Sequence, residues 1–417
     1  MKILYLNPDR GIPVLGAKGA SVHVREFVTT LARQGHEVTV VCATLGEGNA
    51  PPPGELVELR FETDEAELQK ETQAWGLPTA ALDDRITRRE LQRLAYDRTF
   101  ARRIAVTLEA ARFWPDFIYE RHALFHRAGG TLAQMLGIPR LLEVNAPLIR
   151  EQERFRGLVL KDIATVAERD SFKCAHAIIA VSREVADYIA SCGMSLDKIL
   201  TIPNGVDTVR FCPNAGRETI RNKLGLGQAP VIGFVGSFKA WHGIGFLVDA
   251  FVTIAQKHPG VKLLAVGEGP ELRAAQDEIS ARGLEDQVIF TGRVPHAEIP
   301  SYLAAMDLSV APYLSDQDFY FSPLKVVESL ATGTPVVASR LGQLEYLIDD
   351  GKTGLLFVPG DKNDFINKTL GLIRETAHLQ EMSVAARARA LSNFSWKIAG
   401  HRVFQEAQRQ INAARAA

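Results

Sequence analysis

No stretch of this chain stays apolar for the roughly twenty residues that a membrane-spanning helix needs, which argues against a helical span. Charge of one sign is not in excess. The 48 Lys and Arg residues nearly cancel the 49 Asp and Glu residues, leaving no global attraction for nucleic acid. Cysteine is scarce and dispersed at Cys42, Cys174, Cys192 and Cys212, with no C-x-x-C or other metal-ligand spacing. Such thiols are expected reduced, packed as small apolar groups. The glycines after the first apolar run stand at Gly11, Gly16 and Gly19, so the G-x-G-x-x-G signature of redox dinucleotide binding is absent. The first residues read as a strand running into Asn7, Pro8 and Asp9 and not as a signal peptide. Together these absences predict a soluble, cytoplasmic protein without a resident metal.

What is present is an alternation of short apolar runs with helical patterns over 417 residues, enough for two domains of ordinary size. Lys2–Asn7, a glycine-bearing loop from Gly11 to Ser21, a helix over Val22–Arg33 and a strand over Val38–Cys42 form a βαβ unit. Further runs at Phe117–Tyr119, Leu141–Val144, Ala177–Ser182, Val231–Ser237, Lys262–Gly267, Val288–Gly292 and Leu308–Pro312 predict parallel strands. The fold class is therefore α/β, in two doubly wound halves with ligands beyond the strand ends. Residues 1–207 read as one domain, 208–229 as a linker with a short helix, and 230–393 as a second domain. Residues 394–417 read as a closing helix.

The pattern is densest from residue 319 to 339. Ser322 and Pro323 signal a helix start, with serine as cap. Leu324, Val327, Leu330 and Ala331 follow at helical spacing, Gly333 stops the helix, and Val336–Ala338 is a buried strand. Free N–H groups at such a helix start favour an anion. Lys325 and Glu328 stand three residues apart on this helix. They read either as a surface ion pair worth a few tenths of a kcal/mol or as a pair of ligand-binding charges.

The segment from Glu328 to Ser339, followed by Gly351 to Phe357, resembles the donor half of the retaining glycosyltransferases of family 4, the glycosyl transferases group 1. The resemblance implies the GT-B fold, in which two Rossmann-like domains face a central cleft. It also implies transfer of a sugar from a UDP- or GDP-type donor to a saccharide, lipid-linked or small-molecule hydroxyl acceptor, with no cofactor besides that donor. Members usually carry two glutamates, the first binding the donor hexose and the second the ribose. Glu328 matches the second. The first position falls on Tyr320, with Asp316 and Asp318 as nearby acids. Relatives place an arginine and a lysine for the diphosphate where this chain has Ser237 and His242, while Lys239 and Lys325 remain as cations. The resemblance further implies contact of the diphosphate with Leu324 and Ser322, and of the base with Val294. It implies a phosphate and acceptor loop at Gly16 and Gly19, a strand-end glycine at Gly267, and a catalytic histidine at or near Arg121 and His122. Cationic side chains and helix dipoles would take the place of a divalent ion.

Residues 83–112 are rich in arginine: Arg85, Arg88, Arg89, Arg93, Arg98, Arg102, Arg103 and Arg112. Two readings stand. One is a basic amphipathic face for an anionic membrane or a lipid-diphosphate acceptor. The other is a solvated helix whose charge is offset by Asp84, Glu90, Asp97 and Glu109. Two other functions fit the same architecture, a nucleotide-sugar 2-epimerase and a binding protein that has lost its chemistry.

Overall fold

The computed structural model describes residues 1–314 and 319–416. Two compact units emerge: Met1–Pro203 with Tyr320–Ser322 and Ala399–Ala417, and Asn204–Phe319 with Pro323–Ile398. Among the described residues no helix is long and apolar enough to cross a membrane.

The first unit is built on strands β1 (Lys2–Asn7), β2 (Glu37–Cys42), β3 (Glu55–Glu58), β4 (Phe117–Arg121), β5 (Arg140–Val144), β6 (Ala177–Ala180) and β7 (Ile199–Thr201). They form one sheet in the order β3-β2-β1-β4-β5-β6-β7, with every pairing parallel. Side chains alternate across a strand, and both faces here are covered. Leu4 and Leu6 join Tyr96, Phe100 and Ile104 of the helix Arg85–Ala110. Tyr5 turns to the other face, stacked on Tyr119 at 5.5 Å and near Phe27 of the helix Gly19–Arg33. Burial on both sides explains why the central strands are continuous apolar runs.

The arginine-rich segment folds as the single helix Arg85–Ala110, capped by Asp84, whose carboxylate accepts from Thr87 N at 2.7 Å. Its counter-charges differ from those expected. Glu90 is buried and accepts from Leu160 N at 2.7 Å, and Asp97 is buried and accepts from Arg127 N and Ala128 N at 2.8 and 2.7 Å. The acids that meet arginine come instead from the helix Glu65–Ala74. Glu71 takes Arg98 at 2.6 Å and Glu65 takes Arg88. Glu90 and Asp97 point inward because buried loop amides need acceptors more than a surface guanidinium does.

The second unit holds β8 (Val231–Val235), β9 (Lys262–Val266), β10 (Val288–Phe290), β11 (Leu308–Ala311), β12 (Val336–Ser339) and β13 (Gly354–Phe357). Their order is β10-β9-β8-β11-β12-β13, again parallel throughout. Ile232, Phe234, Leu263, Ala265 and Val310 centre its core. Residues 204–229 pack into this unit. Arg387 donates to the carbonyls of Thr208, Phe211 and Ala331, and Arg217 and Arg221 of the helix Arg217–Lys223 bind Asp307. The helix Trp396–Ala416 begins in this unit and continues in the first.

The edge strands β3, β7 and β13 were not expected. β3 carries only Leu56 and Val57 between glutamates and is half-buried, so it lacks the run that marks an interior strand.

Candidate active site

In each sheet the strand order reverses once, between β1 and β4 and between β8 and β11. Such switch points open a crevice at the strands' carboxyl ends. In the second unit the loops beyond the strands are laced by backbone bonds: Gly236 N to Val266 O at 3.0 Å, Phe238 N to Glu268 O at 2.8 Å, and Gly267 N to Gly292 O at 3.0 Å. Gly267 has φ +139°, and a Cβ there would lie 1.9 Å from Gly236 O, so only glycine permits this approach.

Lys325 enters the crevice from the first turn of the helix Leu324–Ala331. Its side chain is half-buried, and its ammonium lies 4.4 Å from the ring centre of Phe234 and 4.6 Å from that of Tyr313. The Nζ is buried without a hydrogen-bond partner. Burial pulls its pKa down to about 7. A Cβ on Gly236 would sit 3.6 Å from both Lys325 Nζ and His242 Nδ1, so lysine and histidine converge on one backbone turn. His242 Nδ1 donates to Ser237 O at 2.5 Å and stands 3.3 Å from Ser237 Oγ. Burial, then the Lys325 charge, lower the His242 pKa to about 3, which leaves the ring neutral. Lys239 is exposed, its ammonium over Trp241 at 4.6 Å.

Of the two readings of Lys325 and Glu328, the surface ion pair does not form. Lys325 turns into the crevice, and Glu328, 7 % exposed, meets His296 Nε2 at 2.7 Å. His296 lies in the loop after β10, two residues past the half-buried Val294, and its ring packs near Phe211 at 5.7 Å. It was absent from the sequence expectation. Ser322 does not cap the helix: Pro323 occupies the N-cap position with no side-chain cap, and Ser322 is buried within the first unit. Leu324 is half-buried at the helix start. Asp316 and Asp318 lie outside the described residues.

Tyr320 packs with the first unit, its hydroxyl donating to Glu151 and its carbonyl accepting from Ser182 Oγ at 2.6 Å. In the same unit Arg121 and His122 are buried at the end of β4. Arg121 pairs with Glu143 at 3.3 Å, and His122 Nε2 meets Glu168 at 3.1 Å while Glu168 also takes the Tyr188 hydroxyl. Glu143 further collects His23 at 2.8 Å, Tyr119 at 2.9 Å and Asn145 at 3.1 Å. Burial alone would raise its pKa; His23 and Arg121 outweigh that and hold it at about 2. Gly16 is confined, since a Cβ would meet Pro13 at 2.7 Å, and its carbonyl accepts from Arg25 at 2.6 Å. Gly19 opens the helix with nothing within 4 Å of a Cβ, so crowding does not require glycine there.

Residues 17–210 match the family described as Glycosyltransferase Family 4, and residues 229–375 match Glycosyl transferases group 1. A GDP-mannose-dependent alpha-(1-6)-phosphatidylinositol monomannoside mannosyltransferase of Mycolicibacterium smegmatis is 31% identical over 252 residues, 59% of this chain and 66% of that protein. Sucrose-phosphate synthase from Thermosynechococcus elongatus superposes with a TM-score of 0.72 at 21% identity, over 99% of each chain. HepE of Anabaena, solved in complex with UDP, gives 0.70 at 19% identity over 97% of this chain and 99% of its own. The two superpositions establish the fold as GT-B, and the two matched segments with it place the chain among the family 4, or group 1, glycosyltransferases.

Proposed function

We propose that this chain moves a glycosyl unit from a nucleotide-diphosphate sugar to an acceptor hydroxyl, with retention of anomeric configuration. The observation that carries the reading is the Lys325 ammonium, buried, without a hydrogen-bond partner and converging with His242 on the Gly236 turn. A desolvated cation gains most from an anion brought to it. The donor diphosphate supplies that anion at the Leu324–Lys325 helix start, with Lys239 and the backbone amides nearby. Lys325 thus does the work that relatives give to the residues at positions 237 and 242, and neutral His242 leaves room for it.

Glu328 holds the ribose hydroxyls through the carboxylate oxygen that His296 leaves open, and the backbone near Val294 faces the base. In sequence, Tyr320 takes the position where relatives carry the glutamate that binds the donor hexose. As the bond between the anomeric carbon and the phosphate oxygen breaks, negative charge grows on the leaving diphosphate, and Lys325 and the helix start stabilise it. The acceptor oxygen bonds to the anomeric carbon on the face the diphosphate leaves, and its proton passes to a phosphate oxygen. Arg121 and His122 are spent on Glu143 and Glu168 within the first unit. The names of the mycobacterial relative, which is GDP-mannose-dependent, and of the UDP complex of HepE support a GDP- or UDP-type donor.

Titration calorimetry with UDP and GDP tests the ribose contact. Glu328→Ala is expected to weaken the preferred nucleotide by about 10- to 100-fold, the range of lost charged hydrogen bonds. His296→Ala is expected to cost about tenfold and to narrow the preference for the ribonucleotide over its 2′-deoxy form. Unchanged affinity in Glu328→Ala contradicts the assignment.

A further inference from the structure

The switch point of the first sheet carries a second cluster of cations. Pro8, Asp9 and Arg10 follow β1, and Leu124 and His126 follow its neighbour β4. Asp9, Arg10, Phe61, Arg93, Leu124 and His126 line one small cavity there. Arg10 lies over the Phe61 ring at 4.9 Å. Arg93 reaches the cavity from the helix Arg85–Ala110, with Arg89 one turn before it.

Three other arginines of this helix are held by protein groups, while Arg85 and Arg102 stand apart from the cavity. Arg88 and Arg98 meet glutamates, and Arg103 donates to Arg60 O at 3.1 Å. Arg10, Arg89 and Arg93 have no hydrogen bond and no carboxylate within salt-bridge distance among the described residues. Asp9 supplies the main opposing charge, yet its carboxylate is engaged by Gly11 N at 2.7 Å. Glu90 is turned to the Leu160 amide. Burial, only partly opposed by Asp9, lowers the Arg93 pKa, and the charges of Arg10 and Arg89 lower it further.

Like charges gathered around a half-buried guanidinium are unfavourable unless an anion joins them. The arginine fork matches the oxygens of a phosphate. Three guanidinium groups against Asp9 and Glu90 leave the cluster net positive, which favours an anion there. We infer that the crevice between the ends of β1 and β4 binds a phosphate group carried by the acceptor, through Arg93, Arg10 and Arg89. The word acceptor rests on the proposed glycosyl transfer; the anion site rests only on the first unit. A phosphate of this kind is found on soluble sugar phosphates and on lipid headgroups.

The full chain is titrated with glucose 6-phosphate and with glucose, and is co-sedimented with phosphatidylcholine vesicles with and without phosphatidic acid. Arg93→Gln and Arg10→Gln are compared with Arg85→Gln, an exposed arginine of the same helix. The expected result is at least about tenfold tighter binding of glucose 6-phosphate than of glucose, the scale of one charge-assisted contact. That preference is lost in Arg93→Gln and Arg10→Gln and kept in Arg85→Gln. If phosphatidic acid vesicles alone show the preference, with the same pattern of variants, the phosphate belongs to a lipid and the site stands. No phosphate preference in either arm, or equal loss in Arg85→Gln, overturns it. Melting curves of the unliganded variants check folding. UDP titration of the same samples separates the two sites, since retained UDP binding with no phosphate preference defeats this inference and leaves the donor site intact.

Discussion

Lys325→Met is expected to lower kcat/KM for the donor sugar by about 100-fold or more, while raising the melting temperature of the unliganded chain. Both effects follow from one observation, an ammonium held between Phe234 and Tyr313 with no hydrogen-bond partner. Removing one member of a desolvated charge pair typically costs about 2–5 kcal/mol, which sets the loss of transition-state stabilisation. In the unliganded protein the same charge is a burden. Its folded pKa of about 7 lies below the ordinary lysine value of 10.5, so the unfolded chain binds more protons between those values. Stability therefore rises with pH across that window, and below pH 7 the full penalty is present. Methionine fills the slot without that penalty, and a gain of about 1 kcal/mol corresponds to roughly 2–4 °C. Nucleotide affinity runs the opposite way. Above about pH 7 the free protein must take up a proton at Lys325 to bind a diphosphate. Affinity is then expected to fall by up to about tenfold per pH unit, and in Lys325→Met that slope disappears. Calorimetry at several pH values reads both slopes.

Glu143→Ala is expected to destabilise the first unit by about 3–5 kcal/mol, the usual cost of breaking a buried ion pair. Glu143 is 3 % exposed and receives His23, Tyr119, Arg121 and Asn145. Its loss strands a buried guanidinium and a buried phenol together. The pKa of about 2 lies below the ordinary carboxylate value of 4.5. The carboxylate therefore contributes stability above pH 4.5, and that contribution is lost as pH falls from 4.5 towards 2. Urea unfolding of the parent chain at pH 7 and pH 3.5 is expected to show this loss, and Glu143→Ala to show a smaller one. Glu143 joins β5, β4 and the helix Gly19–Arg33, so the same variant is expected to weaken phosphate binding near β1 and β4.

The sequence exposed the frame of each sheet because interior parallel strands, buried on both sides, are written as unbroken apolar runs. It hid the edges, where half-burial dilutes the run, as at Glu55–Glu58. The Leu324–Ala331 helix was legible from its start and stop signals, and with it the two charges worth testing. What these charges touch was not legible. Lys325 and Glu328 stand at the spacing of a surface pair, yet tertiary packing sends one to a crevice between aromatic rings and the other to a histidine 32 residues away. His296 had one available signal, its place just beyond Val294 in a loop at a strand end. Ser322 failed as a cap because Pro323, extended at φ −76° and ψ 109°, takes the N-cap position itself. Along Arg85–Ala110 the arginines look alike in sequence, and which of them meets an acid depends on where Glu65 and Glu71 of the neighbouring helix stand.

Nucleoside diphosphate affinity of the parent chain and of Lys325→Met, measured at pH 6 and at pH 8, tests the central claim most directly. The account predicts clear binding by the parent, a loss of about 100-fold in the variant at pH 6, and a smaller loss at pH 8, where the free parent has itself given up the Lys325 proton. Equal affinity in the two proteins would contradict it.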